Sequence, residues 1–300
     1  MPDSPTSNPQ KTALVTGATN GIGEVTALEL ARQGYRVLLT SRDAAKGRQV
    51  LDEIRAQTGN DALEVYVGDL SSMADVRRIA LEVRAKHPTL DMLINNAGGL
   101  IDERQDTVDG FEYTFAFNHL SYFLLTNLLL PSLQAAAKLN GEARVLSVSS
   151  TASNFAKLRW DDLQYTSGYS TWPAYGQSKL MNLLFANALS RRLKGSGVTS
   201  NSLHPGLISS GFGGTATGLS KVLMTVLKPF MMTTQQGAQN SLYLATSPQV
   251  RGVSGQYFVK QKPARPSALA ADQGAQERLW KISEELVAPW LDPVAQPQLA

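Results

Sequence analysis

Tyr175 and Lys179 stand four residues apart in a segment with helical patterning, so their side chains share one face and can act on one substrate. A free phenol is mostly protonated at neutral pH and a poor base, but a nearby ammonium favours the phenolate, which makes Tyr175 a usable acid and base. The apolar run upstream ends in Ser147-Val148-Ser149-Ser150, where a hydroxyl could bond the oxygen of a carbonyl substrate. Asn118, in Phe117-Asn118-His119, is a fourth candidate, because asparagine inside a helix is disfavoured unless its side chain has a partner or faces water. Together these residue types suit proton transfer at a carbonyl or alcohol oxygen.

A second group suits a phosphate. Thr16-Gly17-Ala18-Thr19-Asn20-Gly21-Ile22-Gly23 follows the apolar run Ala13-Leu14-Val15 and precedes a helical pattern. Glycines there let backbone amides approach a pyrophosphate, and the helix N-terminus adds unpaired N–H groups and a positive dipole end. The spacing is TGxxxGxG rather than the GxGxxG of the common dinucleotide fingerprint. Where an NAD enzyme usually places a carboxylate for the ribose 2′-hydroxyl, this chain has Ser41 and Arg42, which suit a 2′-phosphate instead. NADP(H) is therefore expected in preference to NAD(H). Asp69, followed by Leu70, can accept from an adenine amino group, and after Asn95-Asn96 the small Ala97 and Gly98 let backbone approach a ribose.

Short apolar runs at 13–16, 36–40, 63–67, 92–95, 144–148, 198–203 and 256–259 read as seven strands. Helical patterns at about 21–33, 43–58, 72–86, 108–138, 173–195 and 233–246 lie between them. This alternation predicts an α/β fold: a Rossmann-type, doubly wound parallel seven-stranded sheet in a three-layer α/β/α sandwich, formed as a single domain. Its ligands bind beyond the carboxyl ends of the strands, where the motifs fall. The expected organisation is a flexible tail over 1–10, the Rossmann domain over 11–262 and a C-terminal extension over 263–300.

Composition narrows the class. The 300 residues are 43% hydrophobic and 18% charged, the proportions of a globular protein with a large core. The net charge of +3 is scattered rather than clustered, which predicts no nucleic-acid partner. Without cysteine there is no thiol chemistry, and the three histidines are too dispersed for a metal motif, so no metal is expected. The first ten residues lack the apolar stretch of a signal peptide or anchor, and the runs Phe123 to Leu133 and Val222 to Met232 are too short and interrupted to span a bilayer. No transmembrane anchor and a cytoplasmic location are the expectations.

With these motifs placed, the chain resembles the short-chain dehydrogenase/reductase family across nearly its whole length. TGATNGIG is similar to that family's TGxxxGxG loop, Asn95 to Gly98 to its NNAG, Tyr175 to Lys179 to its YxxSK, and His204-Pro205-Gly206 to its PG turn beside the nicotinamide. Ser41-Arg42-Asp43, the long Ser150 to Tyr175 spacing and Arg278 to Ser283 most resemble its retinol dehydrogenase and WW-domain oxidoreductase branch, whose members prefer NADP(H).

The resemblance implies that Tyr175 is the proton donor or acceptor, while Lys179 lowers its pKa and holds the nicotinamide ribose. Ser150, the usual match of the two serines, positions the substrate oxygen, and Asn118 supports a water leading from Lys179 to solvent. The cofactor set it implies comprises Gly17, Thr19, Asn20, Gly21, Ile22, Gly23, Ser41, Arg42, Asp69, Leu70, Asn96, Ala97, Gly98, Tyr175, Lys179, Pro205, Gly206 and Ile208. Residues 207–232 match the family's variable substrate lid, whose apolar stripe from Leu219 to Phe230 suits an apolar alcohol or carbonyl substrate, lipid contact or plain packing. Family members form homodimers and homotetramers. The rival to an enzyme is a catalytically silent NADP(H)-binding protein of the same fold that senses redox state through a partner.

Overall fold

Alternation along the strands assigns their side chains to two cores. Leu14, Leu38, Leu93 and Val145 enter one, whereas Ala13, Val15, Val37, Leu39, Ile94 and Leu146 enter the other. In the computed structural model, which describes residues 10–206 and 232–291, these strands form one sheet between two helical layers. The expected tail (apart from Gln10), the lid over 207–232 (apart from Met232), Ile208 and residues 292–300 lie outside the described residues.

The parallel strands are β1 (Thr12–Val15), β2 (Arg36–Ser41), β3 (Leu63–Val67), β4 (Met92–Asn95), β5 (Ala143–Val148), β6 (Val198–His204) and β7 (Tyr257–Val259). Their order across the sheet is β3-β2-β1-β4-β5-β6-β7. In register, Leu14 lies between Leu38 and Leu93. Between β1 and β4 the winding direction reverses, which opens a crevice at their carboxyl ends.

Among the described residues the sheet has eight strands rather than seven. The eighth, β8 (Lys262–Ala264), runs antiparallel to β7 through a two-residue turn at Lys260 and Gln261, both at positive φ. Asn or Gly usually marks such a turn, and neither is present here. The Asn240 side chain steadies it by accepting the Gln261 amide at 3.0 Å.

One layer carries α1 (Gly21–Arg32) and α2 (Ala44–Thr58); the other carries α3 (Met73–Lys86) and α4 (Tyr113–Asn140). Further along come α5 (Thr171–Arg192), α6 (Thr234–Thr246) and α7 (Gln273–Val287). Asp43 caps α2 by accepting the Ala45 amide at 2.7 Å, and Thr233 with Gln236 forms a capping box on α6. By length and composition α4 could cross a membrane, but 78% of its apolar window is buried in the interior, as in a core helix.

The segment expected as an extension after residue 262 docks on the domain: Leu279, Trp280 and Val287 of α7 join the core that α5 covers. Arg192 stacks on Trp280 at 4.0 Å, and both Arg191 and Arg192 pair with Glu277. The Arg192 hydrogen bond, followed by that from Arg191, pulls the Glu277 carboxyl down to about 2 against the opposing effect of burial.

Candidate active site

At the crevice the ends of β1 and β4 are tied together. The Thr16 hydroxyl accepts the amides of Asn96 at 2.9 Å and Ala97 at 3.0 Å, and Asn96 Nδ2 donates to the carbonyls of Thr16 and Gly17 at 2.9 and 3.2 Å. Space there is minimal. A Cβ on Gly17, which also has φ +62°, would lie 2.8 Å from Ala97 Cα, and one on Gly23 would lie 2.5 Å from Asn96 Nδ2 and collide with the Gly17 carbonyl. No side chain caps the N-terminus of α1, since Asn20 makes no capping bond. Tight glycines beside open helix amides fit a dinucleotide pyrophosphate.

This cradle is one end of a cleft of about 850 Å³. Gly17, Thr19, Asn20, Gly21, Ile22, Gly23, Ser41, Arg42, Asp69, Leu70, Asn96, Ala97 and Gly98 line it, with Ser150, Tyr175, Lys179, Pro205 and Gly206. Asn118 does not line it and is fully buried behind. Ile208 lies outside the described residues.

At the end of β2 the two phosphate candidates differ. The Ser41 hydroxyl is engaged in the turn, donating to the Asp43 carbonyl at 2.7 Å and accepting the Asp43 amide at 3.2 Å. Arg42 is exposed and donates from Nη1 to the Tyr113 hydroxyl at 3.1 Å, leaving most of its donor fork for an anion. Asp69 Oδ1 accepts the Ser71 amide at 2.9 Å.

The other end of the cleft is built from side chains. Tyr175, Ser178, Lys179 and Asn182 follow one another along buried turns of α5. Lys179 Nζ donates to the Val148 carbonyl at 3.2 Å and lies 5.7 Å from the ring centres of both Tyr122 and Tyr175. Ser149 and Ser150 diverge: the Ser149 hydroxyl is buried and donates to the Lys179 carbonyl at 2.7 Å, whereas the Ser150 hydroxyl hydrogen-bonds the Tyr175 phenol. Ser150 is thus the serine brought to Tyr175.

Burial governs the titration of this pair. It pushes the Tyr175 phenol up, with the Ser150 hydrogen bond opposing and the Tyr257 phenol adding to the rise, and it lowers Lys179 to about 7. The sequence suggests a lysine that lowers its tyrosine, but burial is the largest influence on each group, and it favours a neutral phenol at neutral pH.

Asn118 sits in a π-helical turn, Ala116–Leu120, within α4. Its Oδ1 accepts the Gly99 amide at 2.9 Å, and its Nδ2 donates to the Gly99 carbonyl and to Ser178 Oγ, each at 3.0 Å. A Cβ on Gly98 would lie 3.0 Å from Lys179 Nζ and 3.1 Å from Asn118 Oδ1, so these two atoms flank one small residue.

His204, expected only as part of the turn with Pro205 and Gly206, presents its ring to the cleft. Its Nδ1 accepts the Thr151 amide at 3.3 Å and burial lowers it to about 4, so the neutral ring carries its proton on Nε2. Leu100, Ile101, Phe117 and Trp172 also line the cleft, and Trp172 packs edge-on to Tyr175 with centroids 6.3 Å apart. These residues lie in loops, in the π turn and at the start of α5, where no motif marked them.

Comparison with known proteins agrees with this architecture. The family profile described as short chain dehydrogenase matches residues 11–217. Retinol dehydrogenase 12 of Mus musculus is 42% identical over 279 residues, covering 93% of this chain and 87% of its own. The polyprenol dehydrogenase of Homo sapiens is 39% identical over 283 residues, covering 93% and 85%. Among solved structures, an uncharacterized protein from Mycobacterium paratuberculosis superposes with a TM-score of 0.74 at 36% identity, covering 93% of this chain and 94% of that one.

Proposed function

The chain belongs to the short-chain dehydrogenase family, and from that premise we propose that it is an NADP(H)-dependent oxidoreductase interconverting a hydrophobic alcohol and its aldehyde or ketone. The carrying observation is the convergence of Ser150, Tyr175 and Lys179 on the cleft that the glycine cradle opens. A nicotinamide cofactor held there by the cradle and α1 supplies or accepts the hydride.

In reduction, Ser150 and Tyr175 hold the carbonyl oxygen with two hydroxyls, and the neutral phenol of Tyr175 gives its proton as negative charge develops on that oxygen. In oxidation Tyr175 takes the alcohol proton. Lys179, whose Nζ lies 5.7 Å from the Tyr175 ring centre, stabilises in its protonated form the phenolate left after proton donation and holds the nicotinamide ribose. The second lone pair of Asn118 Oδ1 serves a water leading from Lys179 to solvent. Arg42 binds the adenosine 2′-phosphate with the donors that Tyr113 does not occupy.

Leu100, Ile101, Phe117 and Trp172 support an apolar substrate, and relatives named for retinol and polyprenol oxidation act on apolar alcohols. A cytoplasmic location and a homodimer or homotetramer belong to the same proposal. NADPH consumption with a panel of retinoids, steroids, aryl ketones and lipid aldehydes is the direct test. Turnover of at least one apolar carbonyl is expected, and cofactor binding without turnover across the panel would overturn the proposal.

A further inference from the structure

Behind the catalytic side chains a buried polar chain runs to the far end of the sequence. His119 is fully buried between Phe115, stacked at 5.7 Å, and the edge of Phe185 at 6.4 Å. Its Nδ1 lies 3.4 Å from Asn182 Oδ1 and its Nε2 2.9 Å from Ser283 Oγ. Burial lowers this ring to about 4, so at neutral pH it has one proton. An amide oxygen can only accept, which places that proton on Nδ1 and makes Ser283 the donor to Nε2.

The same logic fixes Asn182. With Oδ1 facing His119, its Nδ2 donates to the Asn118 carbonyl at 3.0 Å and to the Val148 carbonyl at 3.3 Å. The Val148 carbonyl is the oxygen to which Lys179 Nζ donates, and Asn118 precedes His119 in the π turn. Ser121 N–H reaches back five residues to Ala116, and the Phe117 and Asn118 carbonyls are met by side chains, those of Ser121 and Asn182. Ser283 and Asn182 are fully buried as well, so no water can stand in for a lost partner without entering the core.

We infer that His119 is a positioning residue for Lys179, setting the amide of Asn182 and through it the Val148 carbonyl and the Asn118 turn, and that Ser283 of α7 holds His119 in the required tautomer. The C-terminal helix is thereby part of the machinery that aims the lysine. This inference rests on the reading of Lys179 as the residue that holds the cofactor ribose and assists Tyr175.

The test compares NADPH affinity, by fluorescence titration, with kcat and the carbonyl KM in His119→Phe, His119→Asn, Ser283→Ala and Lys179→Met, after thermal unfolding shows each to be folded. His119→Phe keeps the ring packing but removes the donor, and should lower kcat about tenfold and weaken NADPH about fivefold with the carbonyl KM unchanged. His119→Asn places an N–H near the Nδ1 position and should recover kcat to within about threefold of wild type, and Ser283→Ala should lower it about twofold. Wild-type kcat and NADPH affinity in His119→Phe would overturn the inference, as would a His119→Asn no better than His119→Phe. Wild-type affinity and turnover in Lys179→Met would instead overturn the reading of Lys179, and the inference with it.

Discussion

The two ends of the cleft are made by opposite means. At the cradle, Gly17, Gly23, Ala97 and Gly98 contribute backbone and little else, and the tolerance for an added atom is below van der Waals contact. At the catalytic end, Ser150, Tyr175, Lys179 and Asn118 are long or polar side chains, each engaged with a named partner inside the core. One end fails when atoms are added, the other when they are removed. Binding and chemistry should therefore separate by mutation at Tyr175 and at the cradle glycines, while Lys179 and the residues that position it serve both.

The largest effect is expected from Tyr175→Phe, which removes one oxygen: kcat should fall about a thousandfold while NADPH affinity stays within about twofold. Parallel loss of both in stopped-flow and titration measurements would mean that the two ends are not independent. Adding atoms at the cradle, Gly23→Val should weaken NADPH about a hundredfold by pushing Asn96 off the Thr16 and Gly17 carbonyls, with a much smaller change in kcat at saturating cofactor. Arg42→Ala, at the rim of the cradle, should cost about tenfold in NADPH over NADH preference and leave NADH kinetics unaltered. Equal NADPH and NADH constants in wild type would remove Arg42 from the phosphate site.

The smallest effect tests the support of the catalytic end. Glu277 sits near 2 in the folded protein against 4.5 for the free group, so its contribution to stability is complete above about 4.5 and fades as pH falls toward 2. Its side chain is 42% exposed, and water screens the pair, so Glu277→Gln should lower Tm by only about one or two degrees at pH 7. The difference from wild type should shrink as the pH approaches 2. A difference that grows in acid would contradict the Arg191 and Arg192 pairing as the cause.

The same contrast explains what could be read from the chain alone. The cradle's signature is short even though its parts lie far apart: TGATNGIG, NNAG and seven strands announce themselves by spacing, because a glycine demanded by close approach leaves a mark at one position. The choice of Ser150 over Ser149 came from the resemblance alone; the structure separates them just past the end of β5, where the Ser149 hydroxyl turns to the Lys179 carbonyl and the Ser150 hydroxyl to Tyr175. The Lys260–Gln261 turn left no mark, because its positive φ values fall on residues that seldom adopt them and are supported from Asn240, about twenty residues away. His119 was similarly hidden: a histidine beside Asn118 is unremarkable until Asn182 and Ser283 arrive from elements far along the chain. The helix α7 was glimpsed only as the run Arg278 to Ser283, without its Asp272 cap.

The knot that binds Thr16 to Asn96 and Ala97 joins residues about eighty positions apart. A growing polypeptide therefore cannot possess its cofactor cradle until β4 has been made and threaded beside β1, and helix α1 must wait through that interval with its first amides unoccupied. The order of assembly is written into the winding of the sheet: strands that arrive first are completed by strands that arrive later. Competence to capture a dinucleotide is thus a signal that the middle of the chain has folded, and a ligand that binds only this state will hold the two halves of the sheet together against unfolding.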